Sequence, residues 1–356
     1  MINLIGYILF AVLIFGVLIF VHELGHFLAA KASGVRVNEF AICMGPAVFQ
    51  KQWGETTYSL RCIPIGGYCA MEGEDEESAD PRAFSSAARW KRLIILVAGS
   101  AMNFLAGFLI LLVILGSVDA RSTSKISGFF EGSTVSAETG LLEGDELYRI
   151  DGRRVYIYSD VSMLLGRNQT GQVALEVIRD GKRVDLGTVP FAPREYELDG
   201  EKVVRYGLYF AAEKTTLGSV FRDSLNTCAD FARMVWLSLG DLFRRMVSIR
   251  DMSGPVGIVS VMAQTGAASE TVGAGLLNIS YFAAFLAVNL AVMNMLPFPA
   301  LDGGRVFFLL VFTAIEKLTK KRIDPKYEGY IHAAGMILLL AFIAFITLKD
   351  IFGIFR

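Results

Sequence analysis

The sequence is poor in charged residues. Only 19% of its 356 residues are Asp, Glu, Lys or Arg, and the formal net charge is -1. This balance provides neither a basic surface for nucleic acid nor an acidic tail, so nucleic-acid binding is not expected. Hydrophobic residues make up 53% of the chain, and the mean hydropathy is +0.48. Such an apolar excess predicts a multi-span protein whose surroundings include a lipid bilayer.

Cysteine is also scarce. The spacing of the four cysteines is neither that of a C-x-x-C redox pair or zinc knuckle nor that of a disulfide framework, and we interpret Cys43, Cys62, Cys69 and Cys228 as ordinary thiols. The first residues, Met1-Ile2-Asn3, carry no positive charge. The apolar segment that follows is therefore interpreted as an uncleaved first span and not as a signal peptide.

Histidine is scarcer still, with three in the chain, and two of them lie in His22-Glu23-Leu24-Gly25-His26. This pentapeptide directly follows an apolar run. On a helix, residues four apart project from the same face, so His22 and His26 could bind one metal ion. Glu23 completes an H-E-x-x-H pattern, in which the glutamate is the general base for an attacking water. Ionisable groups within a span are costly, which favours a metal centre over incidental polar residues at a helix end.

Four segments are long and apolar enough to cross a bilayer, at about 4–28, 93–118, 275–297 and 330–348. Eight Lys and Arg residues lie between the first two segments, and six lie between the last two. By the positive-inside rule both connections are cytoplasmic. We therefore expect both termini and the insert at 119–274 to be extracytoplasmic, with His22 and His26 near the cytoplasmic face.

The first cytoplasmic connection contains a predicted β-hairpin region at about 37–72. Residues 57–63 and 66–71 are typical of short strands around a Pro64/Gly66 turn. A strand edge beside a protease site could hold an extended substrate through backbone hydrogen bonds. The hairpin could equally well only cover the membrane surface, and the residues alone do not choose between these alternatives.

The outer insert is polar and rich in turns. Alternating residues that end at the Arg179-Asp180-Gly181-Lys182 turn indicate strands, and 119–212 is long enough for one small domain. We assign 213–274 to an amphipathic helix, over 213–250, and a linker. Such a helix packs on a domain or lies on the membrane, and both alternatives remain open.

A hydrolytic zinc ion takes three protein ligands and keeps one position open. Asn294-Met295-Leu296-Pro297-Phe298-Pro299-Ala300-Leu301-Asp302-Gly303-Gly304 ends the third span at the predicted depth of His26, so Asp302 is a candidate third ligand. It could also be an ordinary turn residue before two glycines. His332 is a rival ligand without a partner motif, and we interpret it as an interface histidine.

Several further motifs occur in order along the chain. They are Pro64-Ile65-Gly66-Gly67-Tyr68, Asp80-Pro81-Arg82-Ala83-Phe84, Trp90-Lys91-Arg92, Gly99 with Asn103-Phe104, and Gly254-Pro255-Val256-Gly257-Ile258. With the H-E-x-x-H segment and 294–304, they make nearly the whole chain resemble the bacterial site-two proteases of peptidase family M50, the RseP/RasP type of intramembrane zinc metalloprotease. The fold class implied is a polytopic α-helical membrane protein with four transmembrane helices, a cytoplasmic-side membrane-associated β-hairpin and one extracytoplasmic PDZ domain (α+β).

The resemblance also implies residue roles. His22, His26 and Asp302 would bind Zn²⁺, and Glu23 would activate water. Substrate binding is implied for five further residues: Asn294 and Asn289, which would hold an unwound substrate helix, and Gly66, Gly67 and Tyr68 of a hairpin that adds a strand to it. The motifs at 140–147 and 150–152 identify 119–212 as a PDZ domain, whose groove is a candidate site for a peptide C-terminus.

The function implied is that of a zinc metalloendopeptidase in the bacterial cytoplasmic membrane, with its catalytic core divided between 1–118 and 275–356. Its substrates would be single-span membrane proteins, such as anti-sigma factors or signal-peptide remnants, already cut on their outer side. Two departures from the family pattern are Ser100, where relatives commonly have proline, and one PDZ unit where some relatives have two.

Two other classes of protein remain to be weighed. A metal transporter could place His and Asp in the membrane, but it would need neither Glu23 in register, nor a hairpin, nor a PDZ domain. A PDZ-bearing scaffold with an inactive site is disfavoured because His22, Glu23, His26 and Asp302 are all present.

Overall fold

A computed structural model describes residues 4–74, 78–198, 201–244, 253–320 and 326–354. Part of the acidic run after the predicted hairpin (75–77), the end of the predicted 213–250 helix and the basic residues 321 and 322 lie outside the described residues. The chain divides into two compact units. One comprises Met1–Ile110 and Phe231–Arg356, and the other comprises Leu111–Asp230.

The elements are numbered in chain order. The helices are α1 (Leu4–Ser33), α2 (Arg89–Gly116), α3 (Val135–Thr139), α4 (Tyr158–Gly166), α5 (Leu217–Phe243), α6 (Pro255–Ala267), α7 (Val272–Asn294), α8 (Asp302–Thr319) and α9 (Lys326–Ile354). The strands are β1 (Val37–Trp53), β2 (Thr56–Met71), β3 (Ala120–Phe129), β4 (Glu146–Ile150), β5 (Arg153–Arg154), β6 (Gln172–Arg179), β7 (Lys182–Pro190), β8 (Arg194–Leu198), β9 (Glu201–Arg205) and β10 (Leu208–Lys214).

Four helices in the described residues are long and apolar enough to cross a membrane. They are Leu4–Ser33, Arg89–Gly116, Val272–Asn294 and Gly329–Gly353. Each predicted span falls on one of them, with shifted ends. The third helix ends at Asn294, three residues before Pro297, although the sequence predicted a span to 297. Proline lacks an N–H and disfavours helical geometry in the residue before it, so the helix ends ahead of Pro297. The apolar composition continues beyond this end, which is why the predicted span was too long.

Among its described residues, the region predicted as an amphipathic helix and linker, 213–274, contains α5, α6 and the start of α7. Pro255 occupies the first turn of α6, where proline's missing N–H costs nothing. From Phe231 onward, α5 belongs to the same unit as α7, and the Phe231 ring packs edge-on against the rings of Tyr281 and Phe285. This part of the predicted amphipathic helix therefore packs on another helix.

Close packing joins the N-terminal half of α1 to α6 and α7. Tyr7 is 3% exposed and belongs to a core that includes Met262 and Ile279. A methyl group added at Gly266 or at Gly275 would lie within 3 Å of the Tyr7 ring or its hydroxyl. These glycines let the helices approach closely.

The predicted hairpin region forms a sheet, but with a different pairing. The segment at 39–42 of β1 pairs on one side with 67–70 and on the other side with 57–60. The segment at 57–60 also pairs with 50–52. The prediction that 57–63 and 66–71 pair around a Pro64/Gly66 turn was wrong, because a segment of β1 lies between them. As a result, the segment at 67–70 forms an edge of this sheet among the described residues.

A side-chain network holds these strand segments together. Glu39 accepts hydrogen bonds from Ser59, from Arg61 at 2.7 Å and from the Tyr68 hydroxyl at 2.7 Å. Partial burial opposes ionisation of Glu39, but these three donors outweigh it and hold its pKa below the usual value. Burial and the neighbouring carboxylate raise the pKa of Tyr68 to about 12, so its hydroxyl stays protonated and donates.

The second unit contains a β-sheet in the order β10-β3-β4-β6-β7, with β5 paired to β4, and a separate β8–β9 hairpin. Its core is formed by alternate residues of the strands together with residues of α3 and α4; Leu141, Leu147, Ile150, Val173, Leu175 and Val177 are at most 1% exposed. The alternation that predicted strands in this region therefore corresponds to one buried sheet face.

An ion pair between a buried carboxylate and a partly exposed arginine fixes the turn before β4. Asp145 is 1% exposed and accepts hydrogen bonds from Arg179 Nε and Nη2, both at 2.7 Å, and from the Leu142 N–H at 2.9 Å. Burial alone would raise the pKa of Asp145, but the hydrogen bonds from Arg179 and Leu142 lower it below the usual value. The pair joins the motif at 140–147 to β6.

We expect Arg179→Met to destabilise this unit by about 3 kcal/mol, because it leaves the Asp145 carboxylate buried without its cation. Hydrogen exchange in the full chain, measured by mass spectrometry on peptides from 140–150 and 172–190, checks this. Arg183→Met is the matched control: Arg183 is exposed and lies over the Tyr148 ring, 4.4 Å from its centroid. Such a contact is worth only about 0.5–1 kcal/mol. Equal exchange in the two variants would contradict the prediction.

The same ion pair gives a pH dependence. Since the native pKa of Asp145 is depressed, its stabilisation is complete above the unfolded pKa of about 3.9 and is lost as the pH falls through the native value. The difference in exchange between wild type and Arg179→Met should therefore shrink below about pH 4.

Candidate metal centre

Two imidazoles of α1 meet one carboxylate of α8. His22 and His26 lie one turn apart and are 9% and 7% exposed. Their Nε2 atoms are 3.2 Å apart, and Asp302 Oδ2 lies 3.1 Å from His22 Nε2 and 3.2 Å from His26 Nε2. Among the described residues these three form the only cluster of His, Cys, Asp and Glu suited to a metal ion.

The triangle of ligand atoms fits zinc. Zinc–nitrogen and zinc–oxygen bonds of about 2.0–2.1 Å at tetrahedral angles place neighbouring ligand atoms about 3.3 Å apart. The three distances of 3.1 to 3.2 Å therefore match three corners of a tetrahedron. Two neutral imidazoles and one carboxylate form the donor set of hydrolytic zinc sites, with a fourth corner left for water or substrate.

Glycines make room for the imidazoles between α1 and α2. A methyl group at Gly99 would overlap Nε2 of His26, and one at Gly25 would overlap the carbonyl oxygen of Ala98. The two helices therefore touch at backbone distance beside the cluster. His26 Nδ1 donates a hydrogen bond to the Ile95 carbonyl at 2.8 Å. In the neutral ring, the free lone pair is then on Nε2, the nitrogen that lies at the cluster.

Asp302 reaches the cluster because the chain unwinds after α7. Its carboxylate lies in the first turn of α8, where the helix dipole favours negative charge. Methyl groups at Gly303 and Gly304 would overlap the backbones of Met295 and Phe298, respectively, so both glycines are needed for the first turn to lie against the unwound segment. The alternative that Asp302 is only a turn residue does not account for its contacts with both histidines.

His332 supports this segment and is not part of the cluster. Its Nδ1 accepts a hydrogen bond from the Ala300 N–H at 3.1 Å. Ala300 has a φ of 82°, a left-handed conformation that costs energy for a residue with a side chain. His332 is therefore placed to hold the turn that leads to Asp302, a role that its position at the start of the fourth predicted span did not indicate.

Glu23 lies beside the edge of the β1–β2 sheet. A methyl group at Gly67 would lie 3.5 Å from Cγ of Glu23 and 2.9 Å from the Ala41 carbonyl oxygen. The sheet edge at 67–70 thus begins at the candidate general base. Downstream of this edge, Glu74 pairs with Arg305 of α8, which links the loop after β2 to the helix that carries Asp302.

Among the predicted substrate-binding residues, only Asn294 has a described contact with the cluster, with its Nδ2 3.4 Å from His22 Nε2. Asn289 has a buried Oδ1 without a partner among the described residues, and no described contact brings it to the cluster. Tyr68 directs its hydroxyl to Glu39, and a methyl group at Gly66 would meet Met44, so both contact neighbouring strands of the sheet.

Asn103 contacts the cluster but was not predicted as a site residue. Asn103, in α2, is 1% exposed, and its Nδ2 lies 3.4 Å from His22 Nδ1. The available signal was its presence in an otherwise uncharged span, where a lipid-facing asparagine is rare.

Comparison with known proteins identifies the family of the chain. The sequence profile of Peptidase family M50 matches residues 10–342. A protein of Clostridium perfringens that bears the name zinc metalloprotease is 34% identical over 347 residues, covering 97% of this chain and 98% of the relative. One of Fusobacterium nucleatum with the same designation is 36% identical, covering 98% and 99%. The regulator of sigma-W protease RasP of Bacillus subtilis is 28% identical, covering 97% and 98%. The chain therefore belongs to peptidase family M50 and is a zinc metalloprotease.

Proposed function

We propose that this zinc metalloprotease cleaves single-span membrane proteins within or beside their transmembrane segments. The observation that carries this proposal is that two of the three cluster residues, His22 and His26, belong to α1, one of the helices apolar enough to span a membrane. His22 is 18 residues beyond Leu4, which corresponds to about 27 Å along a helix. In a hydrocarbon core of about 30 Å, the cluster would lie close to one face.

We infer that Zn²⁺ is held by His22, His26 and Asp302 through the atoms described above. When bound, zinc supplies a Lewis acid that polarises the scissile carbonyl and makes water acidic. Glu23 is the group that takes the proton from the attacking water and passes it to the leaving amine. The side-chain amide of Asn294, beside His22, is a hydrogen-bond donor for the substrate backbone near the scissile bond.

A substrate helix must unwind before its backbone can reach this site, since its amides are hydrogen-bonded internally. An unpaired backbone group in hydrocarbon costs several kcal/mol. We infer that the edge at 67–70 offsets this cost by pairing with the unwound segment as an added strand. The proximity of Gly67 to Glu23 supports this role, because a strand paired there would run past the proton acceptor.

Residues 119–212, which lie within the unit Leu111–Asp230, are proposed to form an extracytoplasmic PDZ-like domain that controls access. Its strand β10 lies at an edge of the sheet, and Phe210 of β10 packs against Tyr158 of α4 with ring centroids 5.0 Å apart. An edge strand beside a helix is the arrangement in which PDZ domains accept a peptide. A new peptide C-terminus is the proposed partner of this edge.

The proposed setting is a bacterial cytoplasmic membrane, with both termini and the PDZ-like domain outside and the metal centre near the cytoplasmic side. The basis is the distribution of Lys and Arg in the connections. Substrates would be proteins already shortened on their outer side, such as anti-sigma factors or signal-peptide remnants.

A reconstituted assay tests the proposal. The purified chain in liposomes is given a single-span reporter with a short outer tail, the same reporter with a folded outer domain, and soluble casein. We expect the short-tailed reporter to be cleaved at least about tenfold faster than either alternative, because only that reporter presents both a span and an unobstructed outer side. Mass spectrometry of the products locates the cut.

A matched reporter tests the unwinding step. Its span carries leucine at the positions where the first reporter has glycine and asparagine, which makes it a better helix. Cleavage should slow several-fold. Equal rates for both spans, or casein cleavage as fast as reporter cleavage, would contradict intramembrane cleavage of an unwound helix.

A further inference from the structure

Among the described residues, no contact of His22 supplies the hydrogen-bond acceptor that its proposed role requires at Nδ1. If His22 binds a metal through Nε2, the neutral ring carries its proton on Nδ1, and that N–H needs an acceptor. For His26 the corresponding acceptor is the Ile95 carbonyl. Two amide nitrogens lie near His22 Nδ1, those of Asn103 at 3.4 Å and Asn294 at 3.5 Å. Nitrogen atoms of this kind are donors, so neither can accept the proton in that orientation.

Asn103 has an unused acceptor at the same place. The Asn103 Oδ1 is buried and has no hydrogen-bond partner among the described residues. The two ends of a carboxamide have nearly the same shape, and a half-turn of the group exchanges them. After this exchange the oxygen faces His22 Nδ1, which gives both groups a partner. In a site this buried, a polar group without a hydrogen-bond partner is destabilising.

Asn294 is less suited to this role. Its Nδ2 is 3.5 Å from His22 Nδ1 and 3.4 Å from His22 Nε2, so it is nearly equidistant from the two ring nitrogens. Such an atom lies off the axis along which either nitrogen donates or accepts. Hydrogen bonds weaken steeply away from that axis. Asn294 therefore remains available to substrate, and Asn103 faces Nδ1.

We propose that Asn103 is a positioning residue for the metal centre: its side-chain oxygen accepts the His22 Nδ1–H and so fixes Nε2 as the ligand atom. The inference rests on the zinc ligands proposed above and adds the partner that sets the tautomer of His22. Together with the Ile95 carbonyl on His26, it means that α2 orients both imidazoles of α1 without contributing a ligand.

Zinc affinity is the first test. Purified Asn103→Leu, which keeps the volume but removes the acceptor, is titrated with zinc against a competing chelator. Outer partners of metal ligands are worth about 10- to 100-fold in affinity, and a loss of this size is expected. Asn103→Asp, which keeps the acceptor, should restore affinity to near the wild-type value. Ser100→Ala is the control, since Ser100 is 3% exposed on the same helix and its Oγ has no partner among the described residues.

A second measurement reads the wild-type protein and is independent of how well Asn103→Leu folds. With only three histidines in the chain, ¹⁵N-labelled imidazoles give few ring signals. His22, assigned by comparison with His22→Gln, should carry its proton on Nδ1 in zinc-free wild type. A proton on Nε2, or zinc affinity in folded Asn103→Leu within twofold of wild type, would overturn the proposal. Wild type that binds no zinc at these residues would instead overturn the proposed metal centre.

Discussion

Glu23→Gln should retain one zinc ion per chain and lose cleavage of a membrane-embedded reporter by about 10²- to 10⁴-fold, the usual contribution of a positioned general base. Glutamine preserves the size and most of the packing of the glutamate beside Gly67. It cannot accept a proton at neutral pH. The cluster atoms belong to His22, His26 and Asp302, so metal content has no reason to change.

The measurement combines elemental analysis of the purified protein with reporter cleavage in liposomes. Glu270→Gln is the charge-matched control, because Glu270 is exposed in the connection between α6 and α7. It should cleave at the wild-type rate. A Glu23→Gln protein that cleaves within tenfold of wild type would remove Glu23 as the base, and one that loses zinc would show that its main role is structural.

Asp302→Asn should weaken zinc binding by more than about 100-fold, since loss of an outer partner alone costs 10- to 100-fold and here a ligand itself is altered. The substitution removes the anionic ligand that lies 3.1 and 3.2 Å from the two imidazole nitrogens. It also removes the negative charge in the first turn of α8. Cleavage should fall in parallel with metal content.

Asp350→Asn separates loss of metal from general loss of structure. Asp350 is a buried carboxylate of α9 that accepts hydrogen bonds from the Gly254 and Gly257 N–H groups at 2.8 and 2.9 Å. Its replacement should lower the unfolding temperature while zinc stoichiometry stays at the wild-type value. Unchanged zinc affinity in Asp302→Asn, by chelator competition, would exclude Asp302 as a ligand.

The parts of the site that depend on a local sequence pattern could be predicted from the sequence. Four apolar runs predicted the four described helices that are apolar enough to span a membrane, and the spacing of His22 and His26 predicted that their rings share one face. The structure adds the contacts that local pattern leaves open. The sequence left two interpretations of Asp302 open, a metal ligand or a turn residue. In the structure, the unwound segment after Asn294 and the glycines at 303 and 304 allow its carboxylate to reach the two imidazoles. Long-range approach of this kind depends on packing between helices, which periodicity does not describe.

Strand pairing was the clearest failure. Residues 57–63 and 66–71 have the composition of strands, and a turn between them made direct pairing the simplest expectation. In the structure, 39–42 separates the two segments and is locked there by Glu39, which accepts hydrogen bonds from Ser59, Arg61 and Tyr68. The deciding interactions connect residues about 20 to 30 positions apart, so no short sequence window contains both partners.

The distance along the chain between the three clustered side chains bears on how the cell makes this enzyme. His22 and His26 leave the ribosome near the start of synthesis, whereas Asp302 follows about 280 residues later. At typical elongation rates this interval is roughly 14 to 55 s. If His22, His26 and Asp302 hold the metal as proposed, the first helix carries Glu23 and two imidazoles throughout this interval but lacks the carboxylate that completes the site. We therefore expect proteolysis to begin only after most of the protein has been synthesised.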